Sequence, residues 1–78
     1  GNQFYFHEII GFNVIDKEKG EIGIVQDVME HSTQSILVIN FNGNEILIPI
    51  TDDSIKKVNR EKSILEIEAP EGLIDIYI

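Results

Sequence analysis

Asn42-Gly43, set between two apolar runs of similar length, constrains the fold of this chain more than any other pair of residues. A two-residue hairpin loop of type I′ needs positive φ at both central positions, and asparagine and glycine tolerate that best. The pair predicts a hairpin of Ile36 to Phe41 with Asn44 to Ile50, in which Phe41 faces Asn44, Ile39 faces Ile46 and Leu37 faces Ile48. Side chains alternate along a strand, so one face carries Leu37, Ile39, Phe41, Ile46, Ile48 and Ile50. The other carries Ile36, Val38 and Leu47 and is also largely apolar. A hairpin apolar on both faces is covered on both, or it offers a patch for association.

Around this hairpin the chain reads as further short strands. Phe12 to Ile15 follows Gly11, and Asp16-Lys17-Glu18-Lys19-Gly20 is a polar loop leading into a strand from Glu21 to about Val28. Gly23, inside that strand, predicts a bend or a close backbone approach. Glu30 to Ser35 is a second polar loop. Thr51-Asp52-Asp53-Ser54 has the short oxygen-bearing side chains that cap helices, so a helix of one or two turns is expected over Asp53 to Val58. Its acids would sit at the N-terminus, with Lys56 and Lys57 near the C-terminus, as the helix dipole favours. Ile64 to Glu68 alternates, with Leu65 and Ile67 inward and Glu66 and Glu68 outward. Ala69-Pro70 ends it, and Gly72 turns the chain into Leu73 to Ile78. That last segment is too apolar to stand in solvent, so it packs on the sheet's second face or on another domain. The expectation is all-β: a small, closed or nearly closed barrel of five or six strands with one short helical turn.

With 78 residues the chain is one domain, short enough that every apolar side chain counts toward stability. It has no cysteine, which excludes disulfides and thiolate metal sites and suits a reducing cytosol. No apolar run approaches the roughly 20 residues of a membrane-spanning helix, and the N-terminus lacks the pattern of a signal peptide, so the chain reads as soluble with no membrane partner. It begins with Gly1, and its only methionine, Met29, lies well inside. This reads as a domain, residues 1–78, excised from a longer protein whose N-terminal half lies elsewhere. Fourteen acidic against six basic residues give a net charge of −8, which repels phosphate and favours a basic protein partner over RNA. Acidity also serves solubility alone, and that is the commoner reason for it.

No constellation in the chain names a reaction. His7 and His31 are far apart, and His7-Glu8, if extended, point to opposite faces, so neither histidine builds a zinc site. Asp52-Asp53 lacks calcium-loop spacing and reads as capping. Ser32, Ser35, Ser54 and Ser63 sit in polar turns, and the six glycines are scattered rather than gathered in a phosphate-binding loop. Four of the six cations, Lys56, Lys57, Arg60 and Lys62, crowd one short stretch but lack interleaved aromatics, so a solvated turn is the simpler account. No catalytic residue, cofactor or metal is expected, and the chain is not read as an enzyme. Phe4-Tyr5-Phe6 is the segment with binding character. Consecutive aromatics alternate faces when extended, so one side enters the core while the other stays partly exposed, and tyrosine is common at interface hot spots. The plainer account is that all three plug the open end of the barrel.

The order of these elements resembles the C-terminal PRC-barrel domain of the bacterial ribosome maturation factor RimM family. Phe4-Tyr5-Phe6-His7-Glu8-Ile9-Ile10-Gly11 looks like that domain's aromatic opening, where two tyrosines, an aromatic, a histidine, an acid, two aliphatics and glycine are typical. Gly20-Glu21 through Gly23, Val25 to Val28, Glu45 to Pro49, Val58-Asn59 and Pro70 to Asp75 are similar to the remainder. Phe4 stands where the first tyrosine would be, Glu8 where the family has aspartate, and Asn59 where an aspartate follows valine. The resemblance implies a cytoplasmic, non-catalytic ribosome assembly factor of two barrel domains. It would bind the small ribosomal subunit through ribosomal protein S19, a basic protein of the subunit head, and support 16S rRNA processing and subunit maturation. It further implies partner binding at Tyr5 with Phe4 and Phe6 nearby, and little direct nucleic-acid binding by this domain. A generic PRC-barrel adaptor without a ribosomal role, and an RNA-binding barrel of the Sm or OB type with steeply salt-dependent affinity, are the competing classes.

Because a β-branched residue resists positive φ, Gly43→Val is expected to cost about 1–2 kcal/mol, measured by urea denaturation. An unchanged midpoint would mean that no type I′ turn forms there.

Overall fold

The computed structural model describes residues 5–77. A 3-10 helix, η1 (Phe6–Ile9), precedes six strands: β1 (Asn13–Asp16), β2 (Gly20–Met29), β3 (Ile36–Phe41), β4 (Asn44–Pro49), β5 (Ile55–Asn59) and β6 (Ile64–Ile67). One α-helix, α1 (Leu73–Tyr77), follows. The strands form one sheet in the order β4-β3-β2-β1-β6-β5, antiparallel except where β1 lies parallel to β6. The sheet is barrel-like rather than closed, since β4 and β5 remain its two edges.

The hairpin anchors the core as its sequence requires. Asn42 (φ 52°) and Gly43 (φ 90°) both take positive φ, and the β3–β4 register pairs Phe41 with Asn44, Ile39 with Ile46 and Leu37 with Ile48. Leu37, Ile39, Ile46 and Ile48 are fully buried, joined by Val14, Ile22, Val25, Leu65 and Ile67 from the other strands. Phe41 and Ile50 pack at the margin of this core. On the opposite face Val38 is buried too, while Ile36 and Leu47 are partly covered. Gly23 is a point of close approach: a Cβ there would overlap the Asn40 carbonyl of β3, and its φ of +124° is strained for any L side chain.

Two segments depart from the expected secondary structure. Asp53 to Val58 is not a helix; residues 55–59 form β5, antiparallel to β6. The oxygen-bearing cluster before it does cap, but it caps a turn. Thr51 Oγ1 accepts from the Asp53 and Ser54 amides, and Ser54 Oγ accepts from the Thr51 amide and donates to the Pro49 carbonyl. With Ile55 paired to Ile67 and Val58 to Leu65, long-range burial of β-branched side chains outweighs a one-turn helix that could bury little. The final apolar segment is helical: α1 places Ile74 in the core and leaves Ile76 76% exposed. Its position is held by Lys19 Nζ, 2.6 Å from Asp75 Oδ1, a pairing that raises the Lys19 pKa.

Asp16, assigned to a polar loop by sequence, is instead the buried last residue of β1, 4% exposed. Its Oδ2 accepts from the amides of Glu18 (2.9 Å) and Lys19 (3.0 Å), closing the β1–β2 turn. Its Oδ1 accepts from the Ala69 amide at 2.9 Å, beyond the end of β6. One carboxylate thus ties a local turn to a segment some fifty residues away. Asp16→Ala is expected to cost about 2–3 kcal/mol in urea denaturation, because it strands three amides that charged-acceptor bonds now satisfy. Asp16→Asn, which keeps one carbonyl oxygen, is expected to lose less.

Candidate functional site: the aromatic entrance

Residues 5–12 run from solvent into the core, and their hydrogen bonds explain the course. Tyr5 is extended (φ −87°, ψ 137°); the Glu8 amide donates to its carbonyl at 2.9 Å, and its own amide donates to Glu8 Oε1 at 3.3 Å. This reciprocal pair starts η1, so the aromatic segment does not continue as a strand. Ile9 is fully buried and fixes η1 to the core, and Phe12 is nearly so. The Gly11 amide donates to the Val25 carbonyl, and the Val25 amide to the Phe12 carbonyl, stitching the segment to β2.

The helical turn places aromatic groups where extended alternation would not. Tyr5 is 75% exposed, and its ring stacks on His7 with centroids 6.1 Å apart and planes inclined by 25°, within the usual range for offset aromatic pairs. Phe6 is partly buried, and Ile10 stands exposed beside the turn. Of the three sequence-predicted binding residues, Tyr5 projects, Phe6 turns partly inward, and Phe4 lies outside the described residues.

Glu8 ties the turn to a distant part of the chain. Arg60, from the β5–β6 turn, donates Nε to Glu8 Oε2 at 2.8 Å and Nη2 to Glu8 Oε1 at 3.0 Å, a two-pronged geometry that matches guanidinium to carboxylate. The side-chain bond from Arg60 holds the Glu8 carboxyl below its ordinary value of 4.5, and Arg60 is raised in turn. Sequence reasoning missed this pair: 52 residues separate the partners, and no local pattern marks them. Lys56 of the same basic stretch is also paired, its Nζ 3.4 Å from Glu68 Oε1. Among the described residues no group of three or more histidine, aspartate or glutamate side chains converges to hold a metal, and no helix is long and apolar enough to cross a membrane.

A curled six-stranded sheet over one apolar core, opened by a short helical turn and closed by another, defines a small barrel-like domain of the PRC type. Residues 6–73 match the family described as the RimM PRC barrel domain, and the chain belongs to that family. It is 43% identical over 77 residues to the ribosome maturation factor RimM of Christiangramia forsetii, and 37% identical over 78 residues to that of Flavobacterium psychrophilum. These alignments cover 99% and 100% of this chain but 44% and 45% of the relatives, so the chain spans under half the length of the curated proteins it matches. A crystal structure from Pseudomonas aeruginosa, described as a 16S ribosomal RNA processing protein RimM, superposes with a TM-score of 0.76 at 19% identity, covering 86% of this chain and 44% of that one. The last likeness concerns the fold alone.

The sign of the Glu8 shift sets a pH dependence. A carboxylate depressed by folding adds stability that is fully present above its unfolded pKa and is lost as pH falls through the lower folded value. Carboxyl-carbon NMR is expected to place the Glu8 midpoint below 4.5, and Arg60→Gln to return it toward that value. A midpoint unmoved by the substitution would remove Arg60 as the cause.

Proposed function

We propose that this chain is the C-terminal PRC-barrel domain of a cytoplasmic, non-catalytic ribosome assembly factor built from two barrel domains. It binds the small ribosomal subunit through a basic protein of the subunit head, ribosomal protein S19, and so supports 16S rRNA processing and subunit maturation. Family membership and the names of its relatives support the ribosomal role and favour it over a generic PRC-barrel adaptor. The excess of acidic residues suits a basic protein partner and opposes phosphate, so this domain contributes little direct RNA binding.

The observation that carries the choice of binding surface is Tyr5, three-quarters exposed yet stacked on His7 and standing on a turn that Glu8 and Arg60 hold. A rigid, amphipathic ring with few rotatable bonds loses little side-chain entropy on docking. Phe4 and Phe6 flank it in the chain and complete the proposed contact.

Tyr5→Ala is expected to weaken binding to isolated small subunits about tenfold, measured by co-sedimentation, while shifting the melting temperature little. A melting temperature that collapses together with binding would instead make the aromatic segment a structural plug. Unchanged binding would move the contact elsewhere on the domain.

A further inference from the structure

A second surface lies on the sheet itself. Beside the β3–β4 turn is a hollow of about 660 Å³ lined by Asn13, Glu21, Ile24, Gln26 and Asn40, over the bare backbone of Gly23. Gly23 lines it and can carry no side chain, given the Asn40 carbonyl against it. Ile24, paired with Asn13 on one side and Asn40 on the other, is 48% exposed on its floor. One wall is already ordered: the Gly43 amide donates to Asn40 Oδ1, Asn40 Nδ2 to Gln26 Oε1, and Gln26 Nε2 to Glu45 Oε2. Glu21 forms no ion pair among the described residues.

The charge around this hollow has one sign. Residues 20–50 contain Glu21, Asp27, Glu30 and Glu45 and no lysine or arginine. On the other half of the molecule Lys17, Lys19, Lys56 and Arg60 pair with acids of that same half. The carboxylate that lines the hollow, Glu21, therefore has no cation paired to it among the described residues.

We propose that this hollow docks an arginine side chain from a segment of a basic protein, the guanidinium meeting Glu21 and the aliphatic stem lying on Ile24. Arginine fits better than lysine because its flat, weakly hydrated head can rest on an apolar floor while several N–H groups reach carboxylate and amide oxygens at the rim. Nucleic acid is repelled by the same carboxylates, and a second copy of this chain would bring another net charge of −8. The site does not depend on the function proposed for the aromatic entrance.

The test uses the 78-residue chain, labelled with ¹⁵N and titrated with octa-arginine and, in parallel, octa-lysine at about 0.1 M salt. Octa-arginine is expected to shift the backbone amides of Gly23, Ile24 and Asn40 and the side-chain amides of Asn13, Gln26 and Asn40, and to bind more tightly than octa-lysine. Glu21→Gln and Ile24→Ser are each expected to weaken it about three- to fivefold with the spectrum still dispersed, while Tyr5→Ala leaves it unchanged. Shifts spread over acids elsewhere, equal binding of the two peptides, or wild-type affinity in both hollow variants would overturn the proposal. So would an RNA oligonucleotide that perturbs the hollow more strongly than octa-arginine does. Because octa-arginine binding is read without the subunit, its failure leaves the Tyr5 result standing, and the reverse also holds.

Discussion

The parallel pairing of β1 with β6 joins what would otherwise be two separate antiparallel pieces. On one side lies the β1–β4 meander, on the other the β5–β6 hairpin, and the register from Asn13 opposite Ile64 to Asp16 opposite Ile67 makes them one sheet. Neither piece encloses a core alone: Leu37, Ile39, Ile46 and Ile48 come from the first, and Leu65, Ile67 and Ile55 from the second. A parallel pair between distant segments carries a loop-closure cost that no local turn offsets. Asp16 supports it with fixed bonds at one end, and the Asn13 amide donating to the Ser63 carbonyl supports it at the other.

The same pairing builds the aromatic entrance. Once β6 lies beside β1, the β5–β6 turn is brought beside η1, and Arg60 meets Glu8 there. Tyr5 is thereby held at the surface by a contact whose two halves belong to the two pieces of the sheet. The charge pattern has the same origin. Lys17 and Lys19 of the β1–β2 turn and Lys56 of β5 find acids on Glu68 and Asp75, while β2, β3 and β4 keep acids without cations.

Local chemistry was legible wherever a residue type answers a backbone demand. Asn42-Gly43 specified its turn and register, Gly23 its close approach, and the alternation of Leu65 and Ile67 with Glu66 its inward face. Thr51 and Ser54 were read correctly as caps but assigned to the wrong structure, because capping chemistry is shared by helices and turns. The entrance was half legible. Three aromatics in a row announced a surface, but the bend that exposes Tyr5 depends on Glu8, whose guanidinium partner lies at the far end of the chain.

By itself, the sequence determined the hairpin, the all-β character, the family and the sign of the surface charge, since each follows from residue type or from spacing along the chain. Only the tertiary structure decided that residues 55–59 form a strand and that the last apolar segment forms a helix. It also decided that Asp16 is a buried clasp and that Glu8 belongs with Arg60. The physical reason is common to all four: their energetics come from partners outside their own turn of chain, which no local pattern of residues marks.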